Sequence, residues 1–158
     1  MVHPVTRGQD GLMLEPGDHA PPRPPSVVCG VDNSQAALKA ARVAAELADA
    51  LGVRLVLAHV PTDPSPAAGV EDQYRQCELD APAPTKSVPV LRLRTPWGEP
   101  ATGLCRVAEA ENAVLLVTGS RGRGALTAAF LGSVSRSLTS SAKVPVLVVP
   151  ADARISLP

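Results

Sequence analysis

Aromatic side chains are almost missing from this chain of 158 residues, where Tyr74, Trp97 and Phe130 make up 2% of the sequence. Modules that hold single-stranded nucleic acid by stacking bases on rings need more such platforms, so that class of function is a poor fit. Cysteine is sparse as well. Cys29, Cys77 and Cys105 are odd in number and lack metal-ligand spacing, which argues against a disulfide framework or a structural zinc site. Cys29 and Cys105 lie on apolar patterns and read as small buried hydrophobes. No apolar run reaches the roughly 18 residues of a membrane-spanning helix, so a reducing, cytoplasmic setting without membrane attachment is expected. An excess of either charge is also absent, since 15 Lys and Arg balance 15 Asp and Glu. Two familiar nucleotide motifs fail by inspection. There is no Gly-x4-Gly-Lys-Ser/Thr, and Gly122-Arg-Gly124 continues to Thr127 where a dinucleotide fingerprint needs a third glycine.

The charge balance conceals a local asymmetry. From Asn112 through Ala151 there is no Asp or Glu, while Arg121, Arg123, Arg136 and Lys143 all fall inside. A basic stretch this local suits a small polyanion better than a nucleic-acid duplex. Within it lies Gly119-x2-Gly122-x9-Gly132-Ser133, preceded by the apolar run Val114 to Val117 and followed by a helical pattern. Gly119 and Gly122 are expected to let the main chain turn sharply at the strand's carboxyl end, where a Cβ would block an anion from backbone N–H groups. The unpaired N–H groups and positive dipole end of the helix starting near Gly132, Ser133 and Val134 favour a phosphate between the two halves of the motif. A bare pair of glycines would be only a turn; the surrounding cations argue for more.

These residues resemble the universal stress protein family. The resemblance rests on the glycine spacing, on Val31-Asp32-Asn33-Ser34 after the first strand, on Gly98-Glu99-Pro100-Ala101 before a helix, and on the closing run Val144 to Val149. It extends in order from about Ser26 to Pro150. In that family the glycine spacing marks the ATP-binding subgroup, which implies a Rossmann-like, open parallel five-stranded sheet with strand order 3-2-1-4-5 and helices on both faces. It implies an ATP site in which Asp32 meets the ribose, the backbone of Val60 meets adenine, and Gly119, Arg121, Gly122, Gly132, Ser133 and Val134 surround the phosphates. It further implies a homodimer through Val144 to Val149, where an edge strand would offer unpaired backbone groups to a second copy.

The pattern along the chain agrees with an α/β domain. Residues 1–25, with Pro4, Pro16, Pro21, Pro22, Pro24 and Pro25 and no apolar period, are expected to form a flexible tail; residues 151–158 form a second, short one. The tail lacks the continuous apolar stretch of a secretory signal, and Asp10, Glu15 and Asp18 argue against an organelle transit peptide. Between the tails, strands are expected at Val27 to Val31, Val53 to Val60, Val88 to Leu93, Val114 to Val117 and Val144 to Val149. Helices are expected from Gln35, capped by Ser34 and stopped by Gly52, and from Pro100 to Ala110. Near-continuous apolar strands alternating with helices mean a parallel sheet covered on both faces, with its ligand at the carboxyl ends of strands one and four.

One stretch departs from the family. Pro61, Pro64, Pro66, Pro82 and Pro84 leave room only for a short helix, roughly Val70 to Leu79. Trp97, an isolated aromatic beside a loop, can line the pocket or plug the edge of the core, and the core is favoured because large aromatics are mostly buried. Asp32 has two readings: a cap for the following helix, or an acceptor for ribose hydroxyls, with the second favoured by the resemblance. His59 reads as a structural residue, since no carboxylate partner can be assigned to it. Ser133 has no Gly-x-Ser-x-Gly elbow and reads as an N-cap and phosphate donor, not a nucleophile. Mg²⁺ would accompany the triphosphate, with only Asp32 or Ser133 as candidate protein ligands. Three functions fit: a nucleotide-responsive regulatory module in stress response, a dimeric interaction module with an unoccupied loop, and a slow ATPase. The last is weakest, for want of a catalytic base or an acidic metal cluster. Regulatory protein partners are expected for such a module.

Overall fold

Ser26–Gly30 and Arg54–His59 are short, mostly apolar runs with no period of two, as expected of strands buried on both faces. They form β1 and β2. With β3 (Val90–Arg94), β4 (Ala113–Gly119) and β5 (Val146–Val149) they make one sheet in the order β3-β2-β1-β4-β5. Every neighbouring pair is parallel, with Val28 opposite Val56 and Leu116, and Leu57 opposite Arg92. The helices are α1 (Gln35–Leu51), α2 (Pro100–Ala110) and α3 (Ser133–Ser141). The structure, a computed structural model, describes residues 23–32, 34–62, 89–120 and 131–153.

Parity along the strands decides which helix each side chain meets. Val27, Cys29, Leu55, Leu57, Val117 and Val149 pack under α1. Val28, Val56, Ala58, Leu116 and Val60 pack on the other face against Leu104 and Val107 of α2 and Leu138 of α3. Each such Val or Leu withdrawn from water contributes about 1.5–3 kcal/mol. The expected α/β architecture, with parallel strands and helices on both faces, is what the chain forms.

The strand bounds differ from the sequence expectation where proline and glycine act. β5 begins at Val146, because Pro145 has no N–H for the ladder and contributes only its carbonyl, which accepts from Leu116 N at 3.0 Å. β4 runs on to Gly119, beyond the expected Val117, since a glycine facing a neighbouring backbone can stay in a strand. The short helix expected at Val70 to Leu79, and Tyr74, Cys77 and Phe130, lie outside the described residues, as do residues 1–22 and 154–158. Cys29 is buried as expected; Cys105 is only half-buried, with its sulfur 3.8 Å from Ser141 Oγ.

The caps follow from residue chemistry. Ser34 Oγ accepts from Ala37 N at 3.1 Å, and α1 stops at Gly52, whose φ of 64° a side chain would resist. Glu99 caps α2, accepting from Ala101 N at 3.0 Å and Thr102 N at 2.6 Å. Hydrogen bonds from the Thr102 side chain and amide, and from the Ala101 amide, outweigh desolvation and hold the Glu99 carboxyl below its usual range. At the amino ends of the strands the Glu111 carboxylate, 4% exposed, pairs with Arg54 at 3.2 Å and with Arg23, while Ser26 Oγ donates to the Glu111 carbonyl at 2.8 Å. This clamp joins the start of β1, β2 and β4 at the end of the sheet opposite their carboxyl termini.

At that carboxyl end, β4 and α1 come closer than side chains allow. A Cβ on Gly119 would lie 2.6 Å from the Ala36 carbonyl carbon and 2.8 Å from Ala37 N, both backbone atoms of α1. Gly119→Ala is expected to cost about 1–3 kcal/mol by forcing strand and helix apart. Gly98, where an added Cβ meets nothing within 4 Å, is the control, and Gly98→Ala should change stability by less than about 0.5 kcal/mol. Equal urea midpoints for the two variants would refute the close-approach account. A second expectation concerns acid. Because its folded pKa lies below the unfolded value of 4.5, ionised Glu99 contributes stability above that pH and loses it as pH falls through the lowered folded value. The stability gap between parent and Glu99→Ala, about 1 kcal/mol at neutral pH, should therefore close in acid, and a pH-independent gap would contradict the cap.

Candidate functional site

The connections from β1 to β2 to β3 run one way across the sheet, and those to β4 and β5 run the other way, so the carboxyl ends of β1 and β4 flank the switch point. Pairing of Cys29 with Val117 and of Gly30 with Ala58, carried forward, sets Asp32 between Ser120 and Val60 at three adjacent strand ends. Sequence reasoning singled out two of those three residues from separate parts of the chain. The parallel register lays the strand ends that carry them side by side.

Asp32 is half-buried, and its Oδ1 accepts from Ser34 N at 2.9 Å. This is a local turn that hands the helix cap to Ser34, so the capping reading of Asp32 is indirect. Its second carboxylate oxygen has no partner among the described residues and can accept from a ligand hydroxyl.

The glycine motif is closed at its neck. Gly132 N donates to Ser120 O at 2.7 Å, bridging residues 121–131, and Ser120 N donates to Val149 O at 2.8 Å. Beneath the neck, Ser135 Oγ, fully buried, donates to Gly119 O at 2.7 Å. The end of β4, the end of β5 and the start of α3 are thus tied into one corner. Ser135 was not foreseen from the sequence; a lone serine one turn into a helix carries no motif, and only its burial shows what it does.

Two expectations for this corner change. Gly132 is the N-cap of α3 and makes no side-chain cap bond, while Ser133 is the first helical residue. The N-cap role expected of Ser133 therefore belongs to Gly132, because Arg136 N already closes the first helical turn onto Gly132 O at 3.0 Å. The Gly132 N–H is spent on Ser120. The donors left at the helix start are the N–H groups of Ser133, Val134 and Ser135, which have no partner among the described residues, and the helix dipole adds partial positive charge there. Gly119 has no left-handed φ, since Gly52 is the positive-φ glycine among those described. Its glycine is required by α1, not by a sharp turn. Arg121 and Gly122 lie outside the described residues.

On the β2 side, Val60 is buried at 8% exposure, with its side chain set into the notch left by Gly103 of α2. Its backbone N–H and C=O have no partner among the described residues, although its neighbours are engaged. His59 O accepts from Thr95 N at 3.0 Å, and Pro61 O accepts from Gly98 N at 2.8 Å. A donor and an acceptor on one residue form a short recognition edge. The same two bonds hold the loop 95–98 with Trp97 turned outward, 64% exposed. The expected core position of Trp97 is thus incorrect; loop backbone pairing, not hydrophobicity, sets its direction. Among the described residues no group of three His, Cys, Asp or Glu could hold a metal ion, and no helix is long and apolar enough to cross a membrane.

The comparisons with known proteins agree with this architecture. The model of the universal stress protein family matches residues 25–150. A universal stress protein of Mycobacterium tuberculosis is 32% identical over 155 residues, which cover 91% of this chain and 50% of that protein. The chain spans about half the length of that relative. A universal stress protein of Thermus aquaticus is 31% identical over 134 residues, covering 78% of this chain and 97% of its own length. Among solved structures, a universal stress protein in complex with cAMP superposes with a TM-score of 0.65 at 26% identity, covering 82% of this chain and 99% of that one. Fold, strand order and sequence together establish that the chain belongs to the universal stress protein family.

Proposed function

We propose that this protein binds ATP at the carboxyl end of its sheet and acts as a nucleotide-responsive regulatory module in stress response, in a cytoplasmic setting. The observation that carries the reading is the neck between Ser120 and Gly132, beside which the N–H groups of Ser133 and Val134, unpaired among the described residues, open a helix. Such a corner takes the phosphates, with Gly119, Gly122 and Gly132 keeping the chain slim and Arg121 adding charge. Asp32 takes the ribose through its open carboxylate oxygen. The N–H and C=O of Val60 take N1 and the 6-amino group of adenine. Guanine presents the opposite polarity there and would leave both groups unpaired. The solved relative whose ligand is cAMP, itself an adenine nucleotide, supports the choice of base.

The reading is one of binding and response, not of turnover, with Mg²⁺ entering on the triphosphate. Assembly belongs to it: β5 is an edge strand, and its outer backbone groups can pair with those of a second copy, giving a homodimer through Val144 to Val149. Residues 26–150 would form this nucleotide-binding unit.

Calorimetry tests the reading. ATP is expected to bind with micromolar affinity, about −8 kcal/mol, and GTP much more weakly. Arg121→Ala should weaken ATP more than adenosine, since its charge acts on phosphate alone. Absence of ATP binding at millimolar protein and ligand would overturn the assignment and move the unoccupied interaction module ahead.

A further inference from the structure

The recognition edge at Val60 exists because the ladder between β1 and β2 stops one rung early. In a parallel pair the rungs are evenly spaced, and Val31 N donating to Ala58 O at 2.9 Å is one of them. Val60 N to Val31 O would be the next. That bond is absent, and the Val31 carbonyl is met instead by His59 Nδ1 at 2.9 Å, with the imidazole standing where the amide would approach. A carbonyl only accepts, so Nδ1 is the donor of this bond. Nε2 is sealed from solvent and has no partner, and the ring as a whole is 8% exposed. What the imidazole does contact is backbone, the Val31 carbonyl.

We propose that His59 is a positioning residue for nucleobase recognition: its Nδ1–H takes the place of the Val60 amide on the Val31 carbonyl and thereby keeps that amide available to the base. The proposal rests on the adenine-binding reading of Val60. It also accounts for a buried imidazole that tolerates an unpaired nitrogen, a cost that an ordinary core residue would avoid. Without the ring, the ladder can close by one rung, and the donor meant for adenine is consumed inside the sheet. Since Val31 precedes Asp32, the same bond holds the ribose carboxylate and the base edge in fixed relation.

The test compares the parent with His59→Leu and His59→Asn, all shown folded by circular dichroism. Asn places its amide nitrogen where Nδ1 stood and can restore the bond to Val31. His59→Leu is expected to weaken ATP and adenosine alike by about tenfold, the size of one lost hydrogen bond in the pocket, and His59→Asn to recover most of it. Adenosine lacking N1 (1-deazaadenosine) should bind the parent about tenfold more weakly than adenosine, and His59→Leu should no longer distinguish the two. A purely structural histidine would alter stability without erasing that discrimination. If the parent binds ATP and folded His59→Leu binds it equally well, or still discriminates against 1-deazaadenosine, the role of His59 is wrong while the nucleotide reading stands. If the parent binds no ATP, the nucleotide reading fails and this role falls with it.

Discussion

The arrangement at the carboxyl end of the sheet depends on one close contact, the approach of the first turn of α1 to the end of β4 at Gly119. Backbone meets backbone there, with no room for even a methyl group. The alanines that line the buried face of α1, among them Ala36, Ala37, Ala40 and Ala44, let the helix lie this low on the sheet. A low helix start draws Ser34 and Asp32 toward Ser120, and from Ser120 the neck to Gly132 follows. A bulkier residue at Gly119 would raise the helix and spread the strand ends from which a pocket is made.

The two ends of the sheet solve opposite problems. At the amino end, backbone and charge are satisfied almost completely: Glu111, Arg54, Arg23 and Ser26 pair with one another and with nearby carbonyls. At the carboxyl end, groups that could pair have no partner among the described residues, including the Val60 amide and carbonyl, one oxygen of Asp32, and the first amides of α3. Open backbone and carboxylate groups thus gather at one end of the sheet, opposite the clamp that holds the other, and the proposed nucleotide site rests on that arrangement.

Much of this was legible in the chain. Strands buried on both faces appear as unbroken apolar runs, α1 shows its period in alanines, and Ser34, Gly52 and Pro100 mark helix ends through chemistry local to a few residues. Glycine spacing pointed to the corner between β4 and α3 for the same reason. Trp97 and Ser133 went the other way. The direction of Trp97 is set by Thr95 and Gly98 pairing with a strand distant in sequence, and the cap of α3 passes to Gly132 once Arg136 closes the first turn on its carbonyl.

What the sequence by itself determined is the set of elements, their parallel character and the residue types at their ends, because propensity, periodicity and capping act over a few neighbouring residues. What only the tertiary structure decided is which backbone groups remain unpaired. That depends on register between strands far apart in the chain. It is register that brings His59 to the Val31 carbonyl, seats Ser135 under Gly119 and turns the close of a ladder into an open edge at Val60. A hydrogen bond not made leaves no mark in sequence, since it reflects a competition between partners that meet only when the sheet has formed.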